Sequence, residues 1–575
     1  MTLKTIIRRP YTESTALANF GLDPVLNRIY SARHVSNPVE LDCSLKYLLP
    51  PTGLSGIDAA AELLADAVQA DARVVIVGDF DADGATSSAL AVLALRAMGL
   101  NEVSYLAPNR FEFGYGLSPE IVEVAAAVHP DIIITVDNGI ASFDGVDAAA
   151  AQGISVLITD HHLAAEQLPA ADAIVNPNQP GDRFASKALA GVGVVFYVLS
   201  ALRSRLRALG WFDEQGIAEP NMGDFLDLVA LGTVADLVPL DRNNRILVAQ
   251  GLARINAGRC RPGIRALLNV AKRDAQNIVA ADMGFTIGPR LNAAGRLDDM
   301  SVGIECLLAD DEHEAYRLAE QLNELNLERR RIEGEMRRDA IVAVEQLQLQ
   351  PANLPAGLCL YDSTWHQGIV GLVASRIREM TERPVVALAP GSDGQLKGSA
   401  RSIDNVHIRD VLQNIATREP GLIDKFGGHA MAAGLTVSAR DLRQFEVAFD
   451  NEVTRWLNGT TPTPSIHSDG ELESISVPLA EKLREGGPWG QGFPEPIFDG
   501  EFDVTEQRMV GEIHLKLKLQ DDNGNEPLDA IMFRYSDQPG AMPAFARVRV
   551  AYRVDVNDYR GRRSPQLIIE YLEAC

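Results

Sequence analysis

Three aspartates alternate through VVIVGDFDADGATSS: Asp79, Asp81 and Asp83 follow an apolar run that ends at Gly78. If the backbone stays extended there, alternate side chains share a face and the three carboxylates converge. Anions held that close repel one another unless cations neutralise them, and hard oxygen donors suit Mg²⁺ or Mn²⁺. The competing readings are an EF-hand-like calcium loop and a solvated acidic turn. The twelfth position of such a calcium loop, counted from Asp79, is Leu90, which offers no carboxylate. The same grammar recurs twice. IIITVDNG closes an apolar run with Asp137, and VLITDHH closes one with Asp160, His161 and His162. Asp236 in GTVADLVPL adds an acid to otherwise apolar surroundings, where an unpaired carboxylate is costly. Each has a bland alternative: aspartate caps helices, Asn138-Gly139 is an ordinary turn, and a buried Asp236 could cap backbone amides. Acidic groups at the ends of several strands point jointly to a metal site.

The segments carrying these residues must form strands whose ends meet. VVIVG, VSYLAP, DIIITVDNG and SVLITDHH are short and apolar, and Ala-rich helical stretches such as SPEIVEVAAAVHP separate them. Strands alternating with helices of roughly 10 to 15 residues predict a parallel α/β sheet, which gathers ligands at the carboxyl edge of its strands. A more helical region follows to residue 305. Residues 311–349 hold no Pro, one Gly and dense charge, which predicts one long helix linking domains; the apolar spacing is too irregular for a heptad coiled coil. A second α/β pattern runs to 457, then NGTTPTPSIHSDG reads as a linker. FDVTEQRMV, IHLKLKLQ, ARVRVAYRVDV and PQLIIEYLEA, punctuated by DDNGN and DYRGR, predict a small C-terminal β-barrel. The expected division is an N-terminal segment 1–60, a catalytic α/β domain 61–305, a connecting helix 306–350, a second α/β domain 351–457 and a barrel 464–575.

At 575 residues the chain exceeds what one hydrophobic core supports. Its 46% hydrophobic and 23% charged content is ordinary for a soluble globular protein. No apolar run reaches the ~20 residues a membrane span needs, so no membrane partner is expected. The opening MTLKTIIRRPYTES lacks a secretory signal. Five scattered cysteines without CxxC spacing suggest a reducing cytoplasm and neither disulfides nor zinc. The net charge of −25 argues against broad non-specific nucleic-acid binding, unless a local basic groove or bound cations reverse it.

DFDADG, DNG, TDHH and GTVADLVPL, in this order and spacing, resemble the DHH phosphoesterases. NRFEFGYGL, GPRLNAAGR, FGGHAMAAG and the terminal β-region are similar to those members that are exonucleases specific for single strands. The resemblance covers nearly the whole chain. It implies a DHH catalytic domain and a DHH-associated C-terminal domain flanking a cleft, a long connecting helix and a nucleic-acid-binding OB-fold. It also implies 5′ to 3′ hydrolysis of single-stranded DNA with two Mn²⁺ or Mg²⁺ ions, in recombination and repair. A monomer is implied too, with a helicase and a single-strand-binding protein as partners. Carried across position by position, Asp79, Asp81 and Asp137 correspond to ligands of one ion. Asp83, Asp137, His161 and Asp236 correspond to ligands of the other, with Asp137 bridging. Members that act on small molecules carry a histidine upstream of the first acidic pair, where Val77 and Gly78 stand here, so Asp79 is the substitute. His162 is then assigned to orienting the site or touching phosphate, and Asp160 to supporting His161.

Substrate grip falls to other segments. Arg110 in APNRFEFGYGLS, and Arg290 and Arg296 in GPRLNAAGR, are candidate phosphate contacts, against the alternative of structural salt bridges. In STWHQGIVGLVASRI and GSARS, which resemble the DHH-associated domain, Ser399, Arg401 and Ser402 are candidates, with His366 a weaker one. Gly427, Gly428 and His429 would allow close approach to a ligand, or merely form a tight turn before an Ala-rich helix. His514, Lys516 and Lys518, and Arg547, Arg549 and Arg553, each share one face of a predicted strand, as a track for a single strand would require. Ordinary surface alternation explains the same pattern. The rival functions are a DHH hydrolase of short oligonucleotides, cyclic dinucleotides or pyrophosphate, and a non-catalytic replication scaffold on a degenerate DHH fold.

Overall fold

A computed structural model describes residues 4–108, 116–346, 355–403, 406–457, 465–511, 513–522, 526–535, 544–559 and 562–575. The chain forms two compact units that interleave along the sequence. One comprises Met1–Arg8, Leu327–Ser468 and Tyr571–Cys575; the other comprises Arg9–Asn326 and Asp469–Glu570. Strand β1 (Thr5–Arg8) belongs to the first and pairs in parallel with β12 (Ser465–Ser468).

The larger unit is built on a five-stranded sheet of β2 (Val74–Gly78), β3 (Val103–Leu106), β4 (Ile132–Val136), β5 (Ser155–Thr159) and β6 (Ala173–Val175). The order is β3-β2-β4-β5-β6, every pairing is parallel, and β6 is an edge strand beyond those expected. The central strands VVIVG and IIITV are buried at every position, as strands covered on both faces must be. Val75, Val77, Ile133, Val156 and Ile158 pack with Ile121, Val122 and Val146 from the crossover helices. The chain turns from β2 outward to β3 and then back to β4, so the topological switch point lies between β2 and β4. Open α/β sheets bind ligands at that position. Helix Ala82–Ala97, which leaves β2, packs against helix Leu226–Ala235 and is buried along most of its length. Both helices are apolar all round, as interior helices are.

The predicted long helix spans Glu312–Gln346; it begins in the larger unit and ends in the smaller. Ala315, Leu318, Ala319 and Leu322 bury a narrow apolar stripe near its start. Further along, Arg331 bridges Glu328 and Glu335, the three- and four-residue spacing that supports a charged helix. The smaller unit carries a mixed sheet of β7 (Leu358–Tyr361), β8 (Val385–Pro390), β9 (Gln395–Arg401), β10 (Lys425–Gly428) and β11 (Ala432–Ser438), in the order β10-β11-β9-β8-β7. Its core joins Val386 and Leu388 of the sheet to Val411, Leu412, Phe445 and Phe449 of two helices. AAGLTVS, read from the sequence as a possible helix, is strand β11, with Ala433, Leu435 and Val437 facing into that core.

A closed barrel of β13 (Phe498–Val510), β14 (His514–Gln520), β15 (Leu528–Met532), β16 (Arg547–Tyr559) and β17 (Arg562–Ala574) ends the chain. β15 closes it by pairing antiparallel to β14 and parallel to β17. This strand was missing from the sequence reading. Among the described residues, no helix is long and apolar enough to cross a membrane.

Candidate metal centre

The acidic residues gather at the carboxyl ends of β2, β4 and β5, but not by the expected route. The backbone does not stay extended through DFDADG. Asp81 is the N-cap of helix Ala82–Ala97, its Oδ1 accepting the N–H groups of Asp83 (2.9 Å) and Gly84 (3.0 Å). Asp83 therefore lies in the first helical turn. Its carboxylate accepts the N–H of Gly191 at Oδ2 (2.6 Å) and of Val192 at Oδ1 (3.0 Å), at the start of helix Gly191–Ala208. Those amides are the anion-favouring end of that helix. Gly191 is required there, since an added Cβ would lie 2.6 Å from Asp137 Cβ and 2.8 Å from its Oδ1.

Asp137 follows β4 with φ at 62°, a left-handed conformation that aspartate tolerates better than most residues. Its neighbours fix it. Asn138 donates to the carbonyls of Val77 (3.1 Å) and Val136 (2.9 Å), tying the ends of β2 and β4 together. Gly139 has φ 112°, and any Cβ would strike Thr135 Oγ1 at 2.4 Å. The Asn-Gly turn is thus the clamp that aims Asp137.

Beyond β5, Asp160 is buried and its Oδ1 accepts the N–H groups of His161 (2.7 Å) and His162 (3.0 Å). The same oxygen meets His162 Nδ1 at 2.7 Å, and Oδ2 accepts Ile140 N–H at 2.9 Å. Asp160 therefore holds His161 through its backbone amide, as expected of a supporting residue, and orients the ring of His162 as well. His161 instead turns its Nε2 towards Asp137 Oδ1 (3.0 Å) and Asp236 Oδ2 (3.5 Å). Asp236 caps the C-terminus of helix Leu226–Ala235, its N–H donating to Gly232 O at 2.9 Å.

Among the described residues, potential ligand atoms lying within 4.8 Å of one another form three groups: Asp79, Asp81 and Asp137; Asp83, His161 and Asp236; and Asp137, His161 and His162. Asp137 joins the first and third. The donor set, carboxylate oxygens with imidazole nitrogen, is the one Mg²⁺ and Mn²⁺ select. The electrostatics point the same way. Burial, then the charge of Asp81, pushes Asp83 up to about 7, despite two amide donors. Burial and the surrounding aspartates raise Asp137 and Asp236 well above the carboxylate range. These acids ionise together only if cations compensate them. The neighbouring pair behaves oppositely. Burial raises Asp160, but the hydrogen bond and charge of His162 outweigh it and hold the acid low. Burial lowers His162, but Asp160 outweighs it and keeps the imidazolium favoured.

Comparison with known proteins identifies this arrangement. The sequence profile of the DHH family, N-terminal domain, matches residues 73–233; the DHHA1 domain matches 353–455 and the RecJ OB domain 467–571. Over 574 residues the chain is 54% identical to the single-stranded-DNA-specific exonuclease RecJ of Dickeya dadantii, covering 100% of both. It is 51% identical over 566 residues to the corresponding RecJ of Escherichia coli, covering 98% of each. The chain belongs to the RecJ family. Its fold is similar to the crystal structure of Thermus thermophilus RecJ in complex with Mn²⁺, with a TM-score of 0.80 at 28% identity, covering 100% of this chain and 80% of that one.

The segments assigned to gripping substrate fare unevenly. Arg110 lies outside the described residues. Arg290 is buried and donates to Asn323 Oδ1 (3.1 Å) and Thr286 O (2.6 Å), so its guanidinium serves internal packing and not an exposed phosphate contact. Arg296 is half-buried in helix Gly288–Leu297. Asn292, from the same motif, went unnoticed in the sequence: its Oδ1 accepts Ala82 N–H at 2.7 Å and so helps start the Asp83 helix. The Gly191-Val192 amides were also missed, because a backbone donor has no side-chain signature.

In the smaller unit, Arg401 donates to Ser399 Oγ (2.7 Å) and Ser375 Oγ (3.2 Å), a half-buried cluster of donors. Ser402 is excluded from it, since its buried hydroxyl donates to Val406 O at 2.6 Å. Gly427, Gly428 and His429 are exposed at the turn from β10 to β11, and His366 sits in the loop after β7 with Nδ1 accepting Gly368 N–H. On the barrel, alternation holds: Leu515, Leu517 and Leu519 are buried while His514, Lys516 and Lys518 are half-exposed. The basic track does not hold. Lys516 faces Asp529 (3.5 Å), Lys518 faces Glu506 (3.3 Å), and Arg553 pairs with Glu495 and Glu570. Arg547 meets Asp522 (2.7 Å), Asp503 (3.1 Å) and Glu501 (3.4 Å). Arg549 is half-exposed beside them. Cross-strand acids thus neutralise most of the stripe that the sequence suggested.

Proposed function

We propose that this chain is a metal-dependent exonuclease that hydrolyses single-stranded DNA from the 5′ end, in recombination and repair. The observation that carries the reading is the convergence of Asp79, Asp81, Asp83, Asp137, His161 and Asp236 on one sheet edge in a member of the RecJ family. Asp79, Asp81 and Asp137 would hold one Mn²⁺ or Mg²⁺ ion, and Asp83, Asp137, His161 and Asp236 a second. Bound ions of this kind supply an activated water and neutralise charge on the phosphate and leaving oxygen.

The protein's own part is positioning and proton control. The Gly191 and Val192 amides hold the Asp83 carboxylate in place, and the left-handed turn aims Asp137. Asp160 holds Nδ1 of His162, so Nε2 is the atom through which that imidazolium donates to a phosphate oxygen. In the smaller unit, Ser399, Arg401, Gly427, Gly428 and His429 bind phosphate, with Arg296 contributing in the larger unit. The barrel holds the following strand. In this reading the chain works as a cytoplasmic monomer, with a helicase and a single-strand-binding protein handling the same strand.

The test is purified protein with Mn²⁺ and single strands labelled at either end. Release of mononucleotides from the 5′ end is expected. No digestion, or digestion from the 3′ end, overturns the reading.

A further inference from the structure

The four most exposed large apolar side chains among the described residues are Phe285 (76%), Phe20 (69%), Leu163 (68%) and Leu237 (66%). Three of them are tied to the carboxylate cluster through sequence or packing. Leu163 directly follows His162, and Leu237 directly follows Asp236. Phe285 stands on the π-helical turn Met283–Ile287, which packs on the end of the helix that Asp236 caps. The approach is close: a Cβ on Gly284 would lie 3.2 Å from Val234 Cγ1, and one on Gly288 would lie 3.1 Å from Ala235 Cβ.

Exposure of this degree forfeits the hydrophobic contribution of all three side chains. Leu237 also holds φ at 59°, a region that suits glycine and not leucine. π-Helical turns are rare and concentrate at functional sites. A strand with its phosphate at the cluster must lay its neighbouring nucleotides on these residues.

We propose that Phe285, Leu237 and Leu163 form an apolar rim against which the nucleobases flanking the scissile phosphate pack, so that the site selects unstacked strands. This rests on the single-strand exonuclease reading above. In a duplex every base face but the terminal one is covered and the paired bases cannot splay, so the rim finds little to grip. A single strand can splay its bases onto phenylalanine and leucine. Base–aromatic packing needs no cationic surface, which suits a chain of net charge −25 whose barrel cations are largely paired.

The experiment uses full-length wild type, Phe285→Ala and Leu237→Gly with Mn²⁺ on two 5′-labelled oligonucleotides. One is a normal strand; the other carries abasic residues at its 5′ end. Phe285→Ala should lose about 5- to 150-fold in kcat/KM on the normal strand, the range measured for losing one stacked base. It should match wild type on the abasic strand. Leu237→Gly should lose activity in the same base-dependent way while melting no lower than wild type, because glycine accepts the left-handed backbone. Wild-type rates for Phe285→Ala on the normal strand would overturn the rim, as would equal losses on both strands. A wild-type protein that cut neither strand would overturn the exonuclease reading itself, and the rim with it.

Discussion

Asp469→Ala should be among the most destabilising single substitutions in the larger unit. Arg33 and Asp469 form a bidentate pair at 2.8 and 3.0 Å, with side chains 1% and 0% exposed. The pair joins the turn after helix Pro24–Ser31 to the approach to the barrel. Deleting one member of such a pair leaves an uncompensated charge in the interior and costs ~3–5 kcal/mol. Arg33 keeps part of its environment in the variant: Ile29 O and Pro494 O at 2.8 Å each, and the face of Trp489 at 5.3 Å. Those partners place the expected loss near the lower end, about 3 kcal/mol. Because the cost is desolvation without a partner, adding Arg33→Met should return most of it, since a well-packed apolar pair replaces a buried ion pair with little loss. Equilibrium urea unfolding of the full chain, run as a double-mutant cycle, measures both quantities. A loss under about 1 kcal/mol for Asp469→Ala, or a double variant less stable than the single, would refute the reasoning. The result also bears on function. Around the pair, Tyr30, Trp489 and Phe493 stack at centroid distances of 5.1–6.2 Å, and Arg245 lies 4.2 Å from the Phe493 ring. A truncation at residue 465 would therefore remove Trp489 and Phe493, uncover Tyr30 and Arg245, and orphan Arg33. Weakened DNA binding after such a cut would report damage to the body as much as loss of the barrel.

Asp137→Ala should abolish strand digestion with the far-ultraviolet circular dichroism retained, because both candidate ion sites lose a ligand; a fully active variant would remove Asp137 from the centre. Metal-free protein should lose stability as pH rises from 4 to 7. Asp83 takes up its proton more tightly folded, at about 7, than unfolded, near 4, so its contribution is complete below the unfolded value and gone above the folded one. Each proton so held gives a slope of about 1.4 kcal/mol per pH unit, which denaturant titrations in EDTA would detect and saturating Mn²⁺ should suppress. Asp160→Asn should lower the pKa of His162 and move the alkaline limb of the pH–rate profile towards acid; a uniform drop with an unshifted profile would make Asp160 purely structural. Lys518→Gln should change the affinity for long strands by less than tenfold, since Glu506 already offsets that charge, as salt-dependent binding measurements would show.

What could be read from the sequence was whatever side-chain type and periodicity encode. The apolar runs before Asp79, Asp137 and Asp160 could only be interior strands, and a parallel sheet puts their ends together. The route by which Asp83 arrives was not legible. Alternation in DFDADG fits an extended chain and an N-capped helix equally well, and the choice falls to Asp81 bonding its own backbone and to Asn292, remote in sequence, holding Ala82 N–H. The second role of Asp160, at the His162 ring, was hidden for a related reason. Adjacent residues after a strand diverge, so Asp160 reaches the ring two positions on and not the next one. Strand β15 was missed because LDAIM is short and weakly alternating; its pairing depends on β14 and β17, which no local pattern reveals. The lysines and arginines of the barrel were correctly placed on one face, but their acids sit across the strands, outside any window read along one of them.

A chain at −25 that handles a polyanion has to solve its charge problem locally, and the larger unit shows two separate means. At the sheet edge the acids are concentrated, not diluted, and two helix starts aim amide dipoles at them. A cluster whose acids are pushed towards neutrality by burial is primed to exchange protons for divalent cations, which turns the most negative spot into a phosphate site. On the barrel the opposite holds, since each lysine or arginine with an acidic partner forms an exposed pair worth ~0–1 kcal/mol. A phosphate can displace such a partner at little cost, but the exchange adds little affinity. Net attraction then comes from the centre and discrimination from contacts that ignore charge, the role that Phe285, Leu163 and Leu237 are placed to fill. Single-strand preference on this account is a property of the catalytic edge itself, and it survives even where the barrel contributes only length-dependent hold.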